Sequence, residues 1–172
     1  MKYYPPSNHI YYENSDTTTN KLNIKDNKII DEIDTVIGKN HIGALVKLVD
    51  RTSKFTLIKK VNSKKASEVT KALIEMLYPI REITHTITSY NRKEFANHEE
   101  VRYKVLLCRS ISFMRERIKW AYKRFNTSVF TKVRRKEIRE IQNRLNHRPR
   151  KSLVYKTPFE VFYAKVAKVL AA

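Results

Sequence analysis

Between Ile29 and Val61 the chain carries three short stretches rich in β-branched and apolar residues: IIDEIDTVIG (29–38), GALVKLVD (43–50) and SKFTLIKKV (53–61). Val, Ile, Thr and Phe suit a pleated surface, and short Gly- or Ser-containing connections turn the chain back on itself. The stretch predicts a three-stranded antiparallel meander. KKASEVTKALIEML (64–77) follows as an amphipathic helix with Ala66, Val69, Ala72, Leu73 and Met76 on one face, Ser63 as the expected N-cap and Pro79 as a stop. EITHTITS (82–89) alternates Ile with Thr or His, as a strand does. Arg134–Pro149 reads as a helix ended by its proline, and Thr157–Leu170 as another, with Thr157 as N-cap and Pro158 at the first helical position. The order β-β-β-α-β and then helices implies an α/β fold, a sheet with helices packed on it. Residues 1–30, rich in Tyr, Asn and Thr without a clear period, are expected to form a poorly ordered leader.

Charge narrows the function. The chain has 172 residues with 36 Lys and Arg against 17 Asp and Glu, a formal net charge of +19. From Val101 to Lys151 there are 17 Lys and Arg against 3 Asp and Glu, so most of the surplus lies in the second half. At this density a phosphate-facing surface is the better expectation than an ordinary solvated one, and DNA is the expected partner. No apolar run approaches membrane-spanning length, so no membrane role is expected. The single cysteine excludes an internal disulfide and a cysteine-built metal site, which suits the reducing cytoplasm. Two glycines are few for a fold with tight turns.

Three features bear on chemistry. There is no Gly-rich phosphate loop, and His9, His41, His85, His98 and His147 lie far apart, as surface or satisfied core histidines would. Asp34 sits inside an otherwise apolar strand, where a carboxylate is costly unless it is paired, metal-bound or turned to water at an edge. LLCRSISFMRERIKWAYKRF (106–125) is basic, and Leu107, Ile111, Met114, Ile118, Ala121 and Phe125 keep helical spacing. Taken as protein, that run predicts an amphipathic helix with a phosphate-contacting outer side.

Longer segments carry a resemblance. EIDTVIGKNHIGALVKLVDRTSKF (32–55) resembles the start of the catalytic core of bacterial insertion-element transposases of the DDE type, in the branch with the motif W-E-x-D-T-V-x-G. ITSYNRKEFANHEE (87–100) is similar to its second motif, T-S-D-N-G-x-E-F. IQNRLNHRPRKSLVYKTPFEVF (141–162) is similar to its closing motif, L-N-N-R-P-R-K-x-L-G-Y-x-T-P-x-E-V-F. These transposases belong to the retroviral-integrase superfamily. The resemblance implies an RNase H-like core over 31–162, with 163–172 as the end of the last helix. It further implies two Mg²⁺ ions held by two Asp and one Glu, acting in DNA cleavage and strand transfer, and it makes a homo-oligomer possible. Hard divalent ions prefer oxygen ligands, and a metal pair clamps the attacking and leaving oxygens of a phosphodiester displacement.

Carried over residue by residue, the first Asp is Asp34. The second falls on Tyr90, whose phenol is protonated near pH 7 and is a poor Mg²⁺ ligand. Arg92 and Val154 stand where the motifs have Gly, and Asp31 stands where the first has Trp. The third acid belongs to N-E-N-T-N-G, which would lie within 106–125 and is missing; Glu116 is the acid there, with neighbours that do not match. The family text at that point is similar to Y-A-D-P-Y-H-S-W-E-R-G-L-N-E-N-T-N-G-L-I-R. Written in AT-rich codons and read with one extra T in front, Y-A-D-P-Y-H-S-W becomes Leu-Cys-Arg-Ser-Ile-Ser-Phe-Met, which is Leu107 to Met114. Residues 107–123 are therefore expected to be a frameshifted reading of the catalytic segment, leaving the middle of the core disrupted. The chain reads as a transposase by descent, catalytically inactive in this copy; the alternative is a non-catalytic basic DNA-binding remnant. Either would be cytoplasmic and nucleoid-associated.

Overall fold

A computed structural model describes residues 29–38, 43–81, 83–90, 93–97, 101, 104–108 and 133–171. Five strands, β1 (Ile29–Ile37), β2 (Ala44–Asp50), β3 (Thr56–Val61), β4 (Thr84–Tyr90) and β5 (Lys104–Cys108), form one sheet in the order β3-β2-β1-β4-β5. β1, β2 and β3 are antiparallel neighbours, the expected meander. β4 then lies parallel to the free side of β1, and β5 parallel to β4. The hairpin β1–β2 closes through Gly38 N–H to Gly43 O at 3.0 Å, with Gly43 at φ 72°, a left-handed conformation that costs a Cβ-free residue little.

Each face of the sheet has its own cover. Ile33, Ala44, Val46, Leu48, Val61 and Ile87 share one face, because strand side chains alternate and paired residues point the same way. Onto them packs helix α1 (Ala66–Leu77) through Val69, Ala72, Leu73, Met76 and Leu77. On the other face Val36, Leu45 and Ile58 meet Val133 together with Ile138 and Ile141 of α2 (Arg135–Asn146). β2 lies under both covers and is buried along its whole length, Lys47 and Asp50 included. A third cluster, Phe55, Ile83 and Phe162, seats helix α3 (Pro158–Leu170) at the end of the sheet. No described helix is long and apolar enough to cross a membrane.

Helix ends repeat the sequence expectation in one case and correct it in another. α3 begins with a complete capping box: Thr157 accepts from Glu160 N–H at 3.2 Å, Glu160 accepts from Thr157 N–H at 2.8 Å, and Pro158 follows the cap. α1 is not capped by Ser63. Its N-cap is Lys65, without a side-chain cap bond. Glu68 reaches back instead to accept from the backbone N–H groups of Asn62 and Ser63, both at 3.0 Å, and these bonds hold its carboxyl below the usual glutamate range. Pro79 falls in a 3-10 turn (Tyr78–Ile80) directly after α1, where the helix stops as expected.

Two further corrections concern the middle of the chain. The sequence did not suggest β5. Behind Lys104 it is a short apolar run, Val105 to Cys108, and such runs do not announce their period. Leu107 and Cys108 pair with Ser89 and Tyr90, so the helix expected to begin at Leu107 does not begin there. The remainder of that run, Glu116 included, and residues 1–28 of the leader expected over 1–30 lie outside the described residues, while Ile29 and Ile30 begin β1. α2 ends at Asn146, three residues before Pro149.

Val154, one of the residues standing where the closing motif has Gly, adopts φ 53° and ψ 46°, and Tyr155 follows at φ 61°. A β-branched residue in this left-handed region brings Cβ against its own carbonyl, at roughly 1–2 kcal/mol. Val154 is 83% exposed, so burial offsets none of that cost. Val154→Gly should raise the unfolding free energy by about 1 kcal/mol once the extra freedom of glycine in the unfolded chain is subtracted. Val154→Ala, which keeps Cβ, should give less. Urea midpoints that rank Ala above Gly would place the strain elsewhere.

Candidate functional site

The site is built where the meander meets the parallel part of the sheet. Asp34 lies on central strand β1, half-buried, its Oδ1 accepting from Thr35 N–H at 2.9 Å. Ile33 pairs with Ser89 on β4, so Tyr90 takes the next position, alongside Asp34 on the parallel strand. The two positions carried over from the family's first and second acids are thus brought side by side by the fold, and one holds an acid.

Asp34 shares its face with Glu32 on the same strand and with Lys47, its direct partner in register on β2. Lys47 is 1% exposed. Burial lowers its pKa from the ordinary lysine value, opposed first by the charge of Asp34 and then by that of Glu32. Glu32 is buried too, and one oxygen pairs with Arg51 Nε at 2.8 Å. Burial raises its pKa, against the pull of Arg51, Lys54 and Lys47. Glu32 Oε2 and Thr88 Oγ1, from residues adjacent across β1 and β4, are buried without a hydrogen-bond partner.

Besides Asp50 at the end of β2, Glu94 is a further buried acid near these strands. It accepts from Thr35 Oγ1 at 2.8 Å. Thr35 points to the α1 face, opposite to Asp34, so this bond ties the first motif to the second and adds no carboxylate beside Asp34. Among the described residues no group of three or more His, Cys, Asp or Glu is placed to hold a metal ion. Sequence reasoning missed Lys47 and Glu32. The signal was available for Lys47, since a cation inside ALVKLVD raises the same question as an acid inside IIDEIDTVIG.

A basic surface accompanies the site. α2 exposes Arg134 at its cap and Arg135, Lys136, Arg139 and Arg144 along its length. A groove between β3, α1 and α2 is lined by Lys59, Lys60, Arg135 and Arg139, with Glu75 as its acid.

Comparison with known proteins follows the same lines. No protein-family model matches the chain. It is 38% identical over 143 residues to the transposase for insertion sequence element IS4351 of Bacteroides fragilis, an alignment covering 76% of this chain and 43% of that protein. The chain thus spans less than half the length of this curated relative. In fold it resembles the catalytic core domain of BIV integrase, with a TM-score of 0.57 at 12% identity over 83% of this chain and 99% of that one. An RNase H-like core is therefore the architecture of the molecule. With that core, three motif segments in family order and a transposase relative at this identity, the chain is a homologue of the insertion-element transposases, built on the fold of an integrase catalytic core.

Proposed function

We propose that this chain is the integrase-like part of an insertion-element transposase that has lost strand-transfer chemistry and binds DNA by charge alone. The observation that carries the reading is the pairing of positions on β1 and β4: Asp34 is retained, and Tyr90 stands where the partner acid belongs. A divalent ion needs several anionic oxygens to offset its desolvation. Asp34 offers one carboxylate, and its neighbour in register is a buried ammonium. These residues do not fit the Mg²⁺ pair that the family implies.

Incubated with supercoiled plasmid or with duplex oligonucleotides and Mg²⁺ or Mn²⁺, the purified chain should neither nick nor join DNA. Metal-dependent cleavage that disappears in Asp34→Ala would overturn this and restore an active transposase.

Binding should survive the loss of chemistry. The exposed arginines and lysines of α2 and the neighbouring groove can replace counterions on the phosphate backbone, which carries no sequence information. Fluorescence anisotropy should give dissociation constants of roughly 10⁻⁴ to 10⁻⁶ M on unrelated duplexes, with log affinity falling linearly in log salt. Salt-independent binding, or none at low salt, would count against it. A DNA-binding chain of this kind would reside on the nucleoid in the cytoplasm.

A further inference from the structure

The face around Asp34 contains cations of its own. Lys47 lies in the middle of β2, which is buried along its whole length, and a lysine is almost never fully buried unless it is paired. Register sets its Cα directly opposite Asp34, and directly opposed residues in an antiparallel pair share a face with their Cβ atoms only about 4.5–5.5 Å apart. One pair along the same face, Glu32 lies next to Arg51 and accepts from it. Two carboxylates, Asp34 and Glu32, and two organic cations, Lys47 and Arg51, thus lie together around the position that the family resemblance would give to a metal ligand.

We propose that Lys47 is the resident cation of this site: its ammonium takes the position of a divalent ion at Asp34 and turns a catalytic carboxylate into half of a structural ion pair. The proposal rests on reading Asp34 as the family's first acid. It goes beyond the loss of ligands, because it gives the chain a reason to keep Asp34 folded and charged with no metal. It also implies that restoring an acid at position 90 alone would not restore metal binding.

The test uses the full chain and Mn²⁺ alone, followed by electron paramagnetic resonance of the free ion. Wild type should leave Mn²⁺ free at millimolar concentration. Tyr90→Asp alone should still leave Mn²⁺ free, whereas Tyr90→Asp with Lys47→Thr, the ammonium removed, should bind it at least about tenfold more tightly, and Asp34→Asn added to that pair should abolish the gain. Lys47→Arg should exclude the ion as wild type does. A urea double-mutant cycle with Asp34→Asn and Lys47→Met reads the pair itself. Each single change should destabilise, and the double should cost clearly less than the two summed. If Lys47→Thr fails to fold, recovery of the fold on adding Asp34→Asn supports the pair.

Three results overturn the proposal: Asp34-dependent Mn²⁺ binding by wild type or by Tyr90→Asp alone, no gain when Lys47→Thr is added to folded Tyr90→Asp, or strictly additive single changes. They are separable from failure of the inactive reading, which shows as Asp34-dependent DNA cleavage. Manganese held by wild type without cleavage removes Lys47 from its role and leaves that reading standing.

Discussion

Phe162→Ala should lower the unfolding free energy by about 3–5 kcal/mol, the range for truncating a buried aromatic ring. α3 is mostly exposed: Phe159 is 38%, Tyr163 49% and Leu170 70% accessible, and its buried residues are Pro158 and Phe162. Phe162 is 2% exposed and stacks on Phe55 with centroids 4.2 Å apart and planes 15° from parallel. Around that pair gather Ile83, Val166 and Val169, and the ring of Tyr163 meets both phenylalanines edge-on. The other described tethers of α3 to the sheet are polar, Lys165 to Asp50 at 3.6 Å and to Thr52 at 3.4 Å. Losing the ring therefore removes most of what seats the helix. Urea unfolding should show the loss, and limited proteolysis should cut α3 first. Phe162→Leu, which refills much of the volume, should cost less. A change below about 1 kcal/mol for Phe162→Ala, within the ordinary run of point substitutions, would mean that α3 is held by something else.

Asn146→Ala should cost about 2–4 kcal/mol by a different mechanism. Asn146 is 3% exposed, and its amide brackets the main chain of Thr56: Oδ1 accepts from Thr56 N–H at 2.8 Å and Nδ2 donates to Thr56 O at 2.9 Å. β3 is an edge strand, so these groups have no ladder partner on that side. One helical turn earlier on α2, Gln142 does the same for Ile58, accepting from its N–H at 2.8 Å. Alanine at 146 would leave a buried donor and a buried acceptor unpaired, each costing about 1–3 kcal/mol. Asn146→Asp should also destabilise near neutral pH, since a carboxylate can accept from the N–H but only repels the carbonyl. Its penalty should shrink in acid, where the protonated carboxyl can donate. Equal stability of Asn146→Ala and wild type in chemical denaturation would show that the bracket contributes nothing.

How far the sequence told these things varies with the physics behind each. The meander, the buried face of α1 and the capping box of α3 rest on local periodicity and local hydrogen bonds, and all were readable. Asp34 was readable as an oddity, and the comparison with motif text singled out Tyr90, the residue after Ser89, which is the register partner of Ile33. Val154 was readable as a replaced glycine, but its left-handed backbone was not. β5 escaped because four apolar residues in a row fit a strand or a helix turn equally well. Gln142 and Asn146 read as polar positions on a basic helix. Nothing local says that they meet the edge of a strand more than 80 residues earlier. Lys47 escaped because burial on both faces of β2 depends on two helices that arrive later in the chain. The frameshift expectation covers residues 107–123, which from 109 onward lie outside the described residues, and the gene's nucleotide sequence decides it.

The central place of β1 has a consequence for the order of assembly. Its antiparallel neighbour follows within a few residues, so that side can zip on the microsecond scale of hairpins. Its parallel neighbour arrives with Thr84–Tyr90, and a pairing of that sequence separation must first close a long loop. During synthesis, then, β1 spends an interval with one edge open, its row of N–H and C=O groups facing outward. Such an edge is a template for any other strand, including the same strand on another ribosome's product. A chain stopped after α1 would keep that edge permanently, and aggregation, more than loss of any side chain, would be its fate.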